Sequence, residues 1–239
     1  MARVNDIQDN GVHVWKIDLD QFSLISWAGL ISKDERQKAE KFVLPLHQSR
    51  SIKARVALKK LLSRYSGQDK RSLRILEGPF KKPFLPCSED VRPLFFNTSH
   101  SDEMLMIALT FTGEIGIDIE QDRELDLDPS LLELVLTHEE KSEFNLLPSD
   151  IQHKAFFQAW TRKEALSKAL GLGLNIQFND LAIRGRPLFR TQVTEPDRYV
   201  PKDSLLFMTE FGSNEFNGSI AVLGDVHSVR FFDWEKDPL

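Results

Sequence analysis

The order in which helix signals and apolar runs recur is what most constrains how this chain can fold. Ser32 with Glu35 and Thr137 with Glu140 each have the spacing of a capping box. The first predicts a short charged helix through Phe42, the second a helix to about Leu146. Each is followed by a longer helix. One runs from Gln48 to about Tyr65, with Ile52, Val56, Leu58, Leu61 and Leu62 on its apolar side and Gly67 as its stop. The other is opened by Ser149 and Gln152 and stops at Gly171. Strands flank both sets: Val12–Leu19 ahead of the first, and Leu73–Leu76, Leu94–Phe96 and Met104–Phe111 behind it. Ile115–Glu120 then precedes the second set, with a short helix near Pro129–Leu136. Leu181–Arg184, Leu188–Val193, Leu205–Phe211, Ser219–Leu223 and Val229–Trp234 follow as strands. Phe22–Ile31 reads as a further short helix, and Pro79 to Pro93 as a proline-marked loop. Strand, capped helix, long helix and strands thus occur twice. This order predicts an α+β protein of two similar halves, residues 1–113 and 114–239.

Composition removes several classes of function. The 239 residues are 41% hydrophobic and 28% charged, enough to bury a core in each half. Residues 1–6 lack the apolar run of a signal peptide, and no stretch approaches the roughly eighteen apolar residues of a membrane span. Cys87 is the single cysteine, which excludes an internal disulfide and a cysteine-based zinc site. A cytoplasmic protein is expected. A net charge of −5 argues against general nucleic-acid binding. Lysines and arginines nevertheless far outnumber acids between residues 33 and 71, a local positive field suited to an anionic ligand or an acidic partner.

Chemistry concentrates in three places. Asp118 and Glu120 alternate with isoleucines in Gly116-Ile117-Asp118-Ile119-Glu120, so both carboxylates leave one face of a strand. An exposed strand face has this pattern, but so do hard oxygen ligands pre-aimed at a divalent cation. On the second long helix, Ala155, Phe156, Ala159, Trp160, Leu166 and Leu170 form an apolar arc. Lys163 falls inside it, and Glu164 lies between Trp160 and Phe157. Charges there require a partner or a metal. Glu164 is either the third ligand of a cation site begun by Asp118 and Glu120, or one end of an internal pair with Lys168. Upstream, Asn97-Thr98-Ser99-His100-Ser101 reads as a polar cluster between two strands. It suits either phosphate oxygens or the capping of a turn. The His-Ser pair lacks the GxSxG elbow of a serine nucleophile.

These residues carry a resemblance. Glu35-Arg36 with Lys38 and Phe42, Lys82-Pro83, Asn97 to Ser101, Gly116 to Glu120, and Phe156 to Leu174 (FFQAWTRKEALSKALGLGL) together resemble the Sfp-type 4′-phosphopantetheinyl transferases. The likeness spans about residues 30–175. It implies two α+β halves related by a pseudo-twofold, with the active site in the cleft between them. It also implies an enzyme that moves the phosphopantetheine arm of coenzyme A onto a serine of an apo acyl or peptidyl carrier protein, releasing adenosine 3′,5′-bisphosphate. By the same resemblance Asp118, Glu120 and Glu164 would hold Mg²⁺. Ser99 and His100 would contact coenzyme A phosphates, and Lys38 and Lys82 would neutralise them, the 3′-phosphate included. Lys163 and Lys168 would bind the pyrophosphate or hold Glu164 in place. Glu164, then Glu140, are the candidate bases for the carrier serine. The family usually has glycine where this chain has Lys81, a position that favours close backbone approach or a positive φ.

A monomer is expected, because one chain supplies both cleft walls. Fatty-acid, polyketide and nonribosomal peptide carriers all remain open, as does Mg²⁺ against Mn²⁺. Two other readings stand beside this one. A non-catalytic relative would bind carrier proteins or nucleotides, and a metal-dependent phosphatase or nuclease would need no carrier.

Overall fold

The computed structural model describes residues 7, 10–24, 29–89, 91–123, 127–183, 189–192, 199–200, 205–213 and 215–237. The chain opens with β1 (Gly11–Asp18), α1 (Lys33–Glu40) and α2 (Pro45–Ser66). A small hairpin of β2 (Leu76–Glu77) and β3 (Pro83–Phe84) follows, then β4 (Phe95–Ser101), β5 (Met104–Thr110) and β6 (Glu114–Gln121). Next come α3 (Pro129–Val135), α4 (His138–Phe144) and α5 (Ser149–Leu170). The chain closes with β7 (Phe189–Gln192), β8 (Leu205–Gly212), β9 (Phe216–Leu223) and β10 (Ser228–Asp233). Two four-stranded sheets result, in the orders β10-β1-β5-β4 and β6-β9-β8-β7. The α+β class is as expected. The last strand returns to the first sheet, pairing parallel with β1 from Gly11↔Ser228 to Lys16↔Asp233.

Both capping boxes form in full: Ser32 and Thr137 each accept from the backbone three residues on, and Glu35 and Glu140 reach back. Gly67 and Gly171 end α2 and α5 in the left-handed region, at φ 72° and 68°. Several expectations are corrected. α5 is capped from Pro148 with no side-chain bond, so Ser149 is its first helical residue rather than its cap. Of the helix expected at Phe22–Ile31, residues 25–28 lie outside the described set and the flanking residues are not helical. The strand expected at Leu73–Leu76 is confined to Leu76–Glu77, and the loop after it contains β3. Residues 181–183 are irregular, and Arg184, Leu188 and Val193 lie outside the described set. Most consequentially, Asn97 to Ser101 is no turn but the body of β4.

Period-two alternation distributes side chains over three layers. β5 is buried at all seven positions because both of its faces are covered. Leu105, Ile107 and Leu109 meet Val56, Leu58, Leu61 and Leu62 of α2, while Met104, Met106 and Ala108 share a core with the second sheet. In β6 the isoleucines 115, 117 and 119 join that shared core. Gly116, Asp118 and Glu120 therefore point the other way, toward α5. A Cβ at Gly116 would sit 2.0 Å from the Ala165 carbonyl oxygen and 2.5 Å from the Ala169 nitrogen. The missing side chain lets α5 lie directly on β6. Gly116→Ala is expected to cost at least about 1–3 kcal/mol, since backbone rather than a flexible side chain must move. A urea midpoint equal to wild type would reject this contact.

The hairpin loop carries a second constraint. Phe80 and Lys81 both have positive φ, 57° and 64°, without being glycine. Each such residue costs on the order of 1–3 kcal/mol. The turn is closed by Lys81 N–H donating to the Gly78 carbonyl (3.1 Å) and Gly78 N–H to the Lys82 carbonyl (2.9 Å).

Candidate active site

The two sheets meet edge to edge along β4 and β6, and side chains replace the backbone ladder there. The Ile117 N–H donates to Asn97 Oδ1 (3.0 Å) and the Gln121 N–H to Ser101 Oγ (3.0 Å). Between them Ser99 Oγ donates to Asp118 Oδ1 (2.9 Å). Asn97, Ser99 and Ser101 are alternate residues of one strand, so all three face the seam. A run that reads as a polar turn is a strand edge whose side chains satisfy the neighbouring edge.

Asp118 lies at the centre of this seam and is 4% exposed. Lys168, from α5, donates to its Oδ1 (2.6 Å), to Ser99 Oγ (3.1 Å) and to the Ile117 carbonyl (3.2 Å). Asp118 Oδ2 is buried with no hydrogen-bond partner. Burial pushes the Glu120 carboxyl above its usual range and the Asp118 charge adds to it, against relief from Arg123, Lys168 and the Trp160 indole. Glu164 is likewise pushed up, first by burial and then by the charges of Asp118 and Glu120, with Lys168 opposing. The three carboxylates therefore feel one another's charge.

Among the described residues no three His, Cys, Asp or Glu side chains have metal-ligating geometry as they stand. Lys168 is the cation among these carboxylates. The donor set nonetheless fits a hard divalent ion: a buried carboxylate oxygen lacks a partner, and two further carboxyls are held above their usual range by burial and, after it, by neighbouring carboxylate charge, both of which a cation would offset.

His100, the residue after Ser99, is exposed, yet its ring is crowded. Burial comes first in lowering its pKa, followed by Lys168 and Arg50, so near neutrality it is an uncharged imidazole. Trp160 is a neighbour that the apolar arc does not flag: partly buried, it stands close enough to Glu120 to oppose the upward shift of that carboxyl. The available signal is chemical, since the indole N–H of a largely covered tryptophan seeks an acceptor.

Four expected residues lie elsewhere or are otherwise engaged. Lys163 is 1% exposed, and its ammonium donates to the carbonyls of Val135 (2.8 Å) and Phe178 (2.9 Å) and to Glu140. This places it away from the seam, as the clamp that ties α3, α4 and α5 together. Glu140 is its partner and also caps α4 through the Thr137 N–H (2.9 Å), so it is not a free base. Lys82 reaches to β6 and α5, donating to Glu114 (2.5 Å) and to the Ala169 carbonyl in the last turn of α5 (2.8 Å). Lys38 pairs with Glu77 at the surface (2.6 Å).

Comparison with known proteins assigns the chain a class, that of a group-transfer enzyme. The model described as "4'-phosphopantetheinyl transferase, N-terminal" matches residues 13–112, and that of the 4'-phosphopantetheinyl transferase superfamily matches residues 114–207. The 4'-phosphopantetheinyl transferase HetI of Nostoc sp. (strain PCC 7120) is 34% identical over 165 residues, covering 68% of this chain and 70% of that protein. The 4'-phosphopantetheinyl transferase Sfp of Bacillus subtilis (strain 168) is 26% identical over 171 residues, 72% and 74% of the two chains. The 4'-phosphopantetheinyl transferase AcpT of Salmonella typhi is 40% identical over 79 residues, 33% of this chain and 41% of that one. The chain belongs to the 4′-phosphopantetheinyl transferase family, enzymes that transfer phosphopantetheine to carrier proteins.

Proposed function

We propose that this protein moves the phosphopantetheine arm of coenzyme A onto the serine of an apo carrier protein, with Mg²⁺ held by Asp118, Glu120 and Glu164. The observation that carries this reading is the unpartnered, buried Asp118 Oδ2, with two carboxyls near it whose pKa values are raised first by burial and then by neighbouring carboxylate charge. When bound, Mg²⁺ would neutralise pyrophosphate oxygens and favour charge on the departing bisphosphate. The serine oxygen bonds to the β-phosphorus and the anhydride bond to the α-phosphate breaks. The bond's electron pair leaves with adenosine 3′,5′-bisphosphate, and the serine proton passes to Glu164. One carboxylate oxygen suffices for each task of Glu164, so ion binding and proton removal are compatible.

The remaining groups orient the substrate. Lys168 already spans Ser99, Asp118 and the Ile117 carbonyl, and from there neutralises a pyrophosphate oxygen. His100, uncharged, donates one hydrogen bond to a phosphate. We take residues 1–113 and 114–239 as the two halves, related by a pseudo-twofold, with the β4–β6 seam as the cleft floor and coenzyme A lying across it. A single chain then supplies a complete site.

The test is labelling of apo carrier proteins with a fluorescent coenzyme A in the presence of Mg²⁺. Acyl and peptidyl carriers are both tried, and the carrier serine→alanine variant serves as the blank. Serine-dependent label that is lost on chelation supports the assignment. No label on any carrier, from protein that melts cooperatively, would leave a carrier- or nucleotide-binding relative instead.

A further inference from the structure

We infer that Lys81 binds the ribose 3′-phosphate of coenzyme A, a role in this chain that the neighbouring Lys82 is not free to fill. The inference rests on the transferase reading, and four observations carry it. Lys82 is committed to Glu114 and to the Ala169 carbonyl, so its ammonium acts as a tether between the halves. Lys81 is exposed, and among the described residues its ammonium makes no direct ion pair. It holds a backbone conformation, φ 64°, that glycine would adopt without strain. A lysine where glycine would fit without strain points to use of the side chain, because residues held in such conformations cluster at ligand-binding and active sites.

The fourth observation is electrostatic. Glu77 is held below the usual carboxylate range, first by the hydrogen bond and charge of Lys38 and, further out, by the charges of Lys81 and Arg55. Arg55 and Lys59 both bind Glu35, at 2.6 and 2.7 Å. At the hairpin itself Lys38 and Lys81 thus share one carboxylate, Glu77, which leaves a positive surplus there. That surplus suits a dianionic phosphate.

Position selects which phosphate. The hairpin loop packs on the turn after α5, where a Cβ at Gly171 would lie 3.3 Å from the Lys82 side chain and one at Gly173 would lie 3.8 Å from the Phe80 carbonyl oxygen. Glu164 stands seven residues earlier on α5, about 10 Å along the helix axis. The pyrophosphate belongs with the carboxylates, so the phosphate left for Lys81 is the one on the ribose.

Calorimetry with adenosine 3′,5′-bisphosphate and with adenosine 5′-monophosphate, on wild type, Lys81→Gly and Lys81→Arg, tests this. Lys81→Gly is expected to melt higher than wild type and to bind the bisphosphate roughly three- to tenfold more weakly, with the monophosphate unchanged. Lys81→Arg should keep the bisphosphate affinity. An unchanged bisphosphate affinity in Lys81→Gly overturns the inference, and so does an equal loss for both nucleotides. Because the readout is binding, it is separable from the transferase reading. Wild type that labels carriers while Lys81→Gly binds normally sinks only the role of Lys81, whereas wild type that labels none sinks the transferase assignment itself.

Discussion

Replacing Glu164 with glutamine is expected to lower transfer by roughly 10²–10³-fold in kcat while raising the melting temperature of the chelator-treated protein. The two effects share one cause. Glu164 is pushed above its ordinary pKa by burial and by Asp118 and Glu120, so its ionised form is disfavoured in the folded state. The sign for pH follows. A carboxyl whose folded pKa is raised does not destabilise below the ordinary value of 4.5, and destabilises progressively as pH rises through the raised value. Chelated wild type should therefore lose stability over that window, and Glu164→Gln should lose less of it. Added Mg²⁺ should stabilise wild type and have little effect on the variant. Thermal melts across pH, with chelator and with Mg²⁺, provide the readout. A variant that melts lower than wild type under chelation, or turns over normally at limiting Mg²⁺, would show that the three carboxylates do not act as one site.

The second large effect concerns stability rather than chemistry. Lys163→Met should destabilise by about 3–5 kcal/mol, because the Val135 and Phe178 carbonyls and the Glu140 carboxylate lose a buried cation together. Family resemblance alone would set Lys163 on the pyrophosphate or have it hold Glu164, and the first of these predicts a raised KM for coenzyme A. The structure predicts the opposite division: a large fall in the urea midpoint, with KM for coenzyme A unchanged at a temperature where the variant remains folded. A higher KM without loss of stability would return Lys163 to the substrate.

Much of the site is legible in the chain itself. The alternation of isoleucine with Gly116, Asp118 and Glu120 assigns the two carboxylates to one face, because the strand period is two whatever the strand packs against. The apolar arc of α5 assigns Glu164 to a helix that must cover something. The capping boxes fix where α1 and α4 begin, since they depend on contacts within four residues. Expectations failed where a residue's task depends on a distant partner. Asn97, Ser99 and Ser101 read as turn formers because their use, satisfying the bare edge of β6, exists only once two sheets abut. Lys163 and Glu164 are adjacent charges beside one apolar arc, yet Lys163 is a clamp while Glu164 feels the charges of Asp118, Glu120 and Lys168, a difference of one helical step that only the tertiary packing reveals.

From the sequence alone come the shared face of Asp118 and Glu120 and the repeated order of elements, because each rests on local periodicity or on short-range hydrogen bonding; the class of chemistry and the third acid came with the family resemblance. Tertiary structure alone decides which lysines are free to meet a substrate and which hold the molecule together. A lysine's role is set by whatever carboxylate or carbonyl lies within reach of its ammonium, and for Lys82, Lys163 and Lys168 those partners lie 15 to 87 residues away.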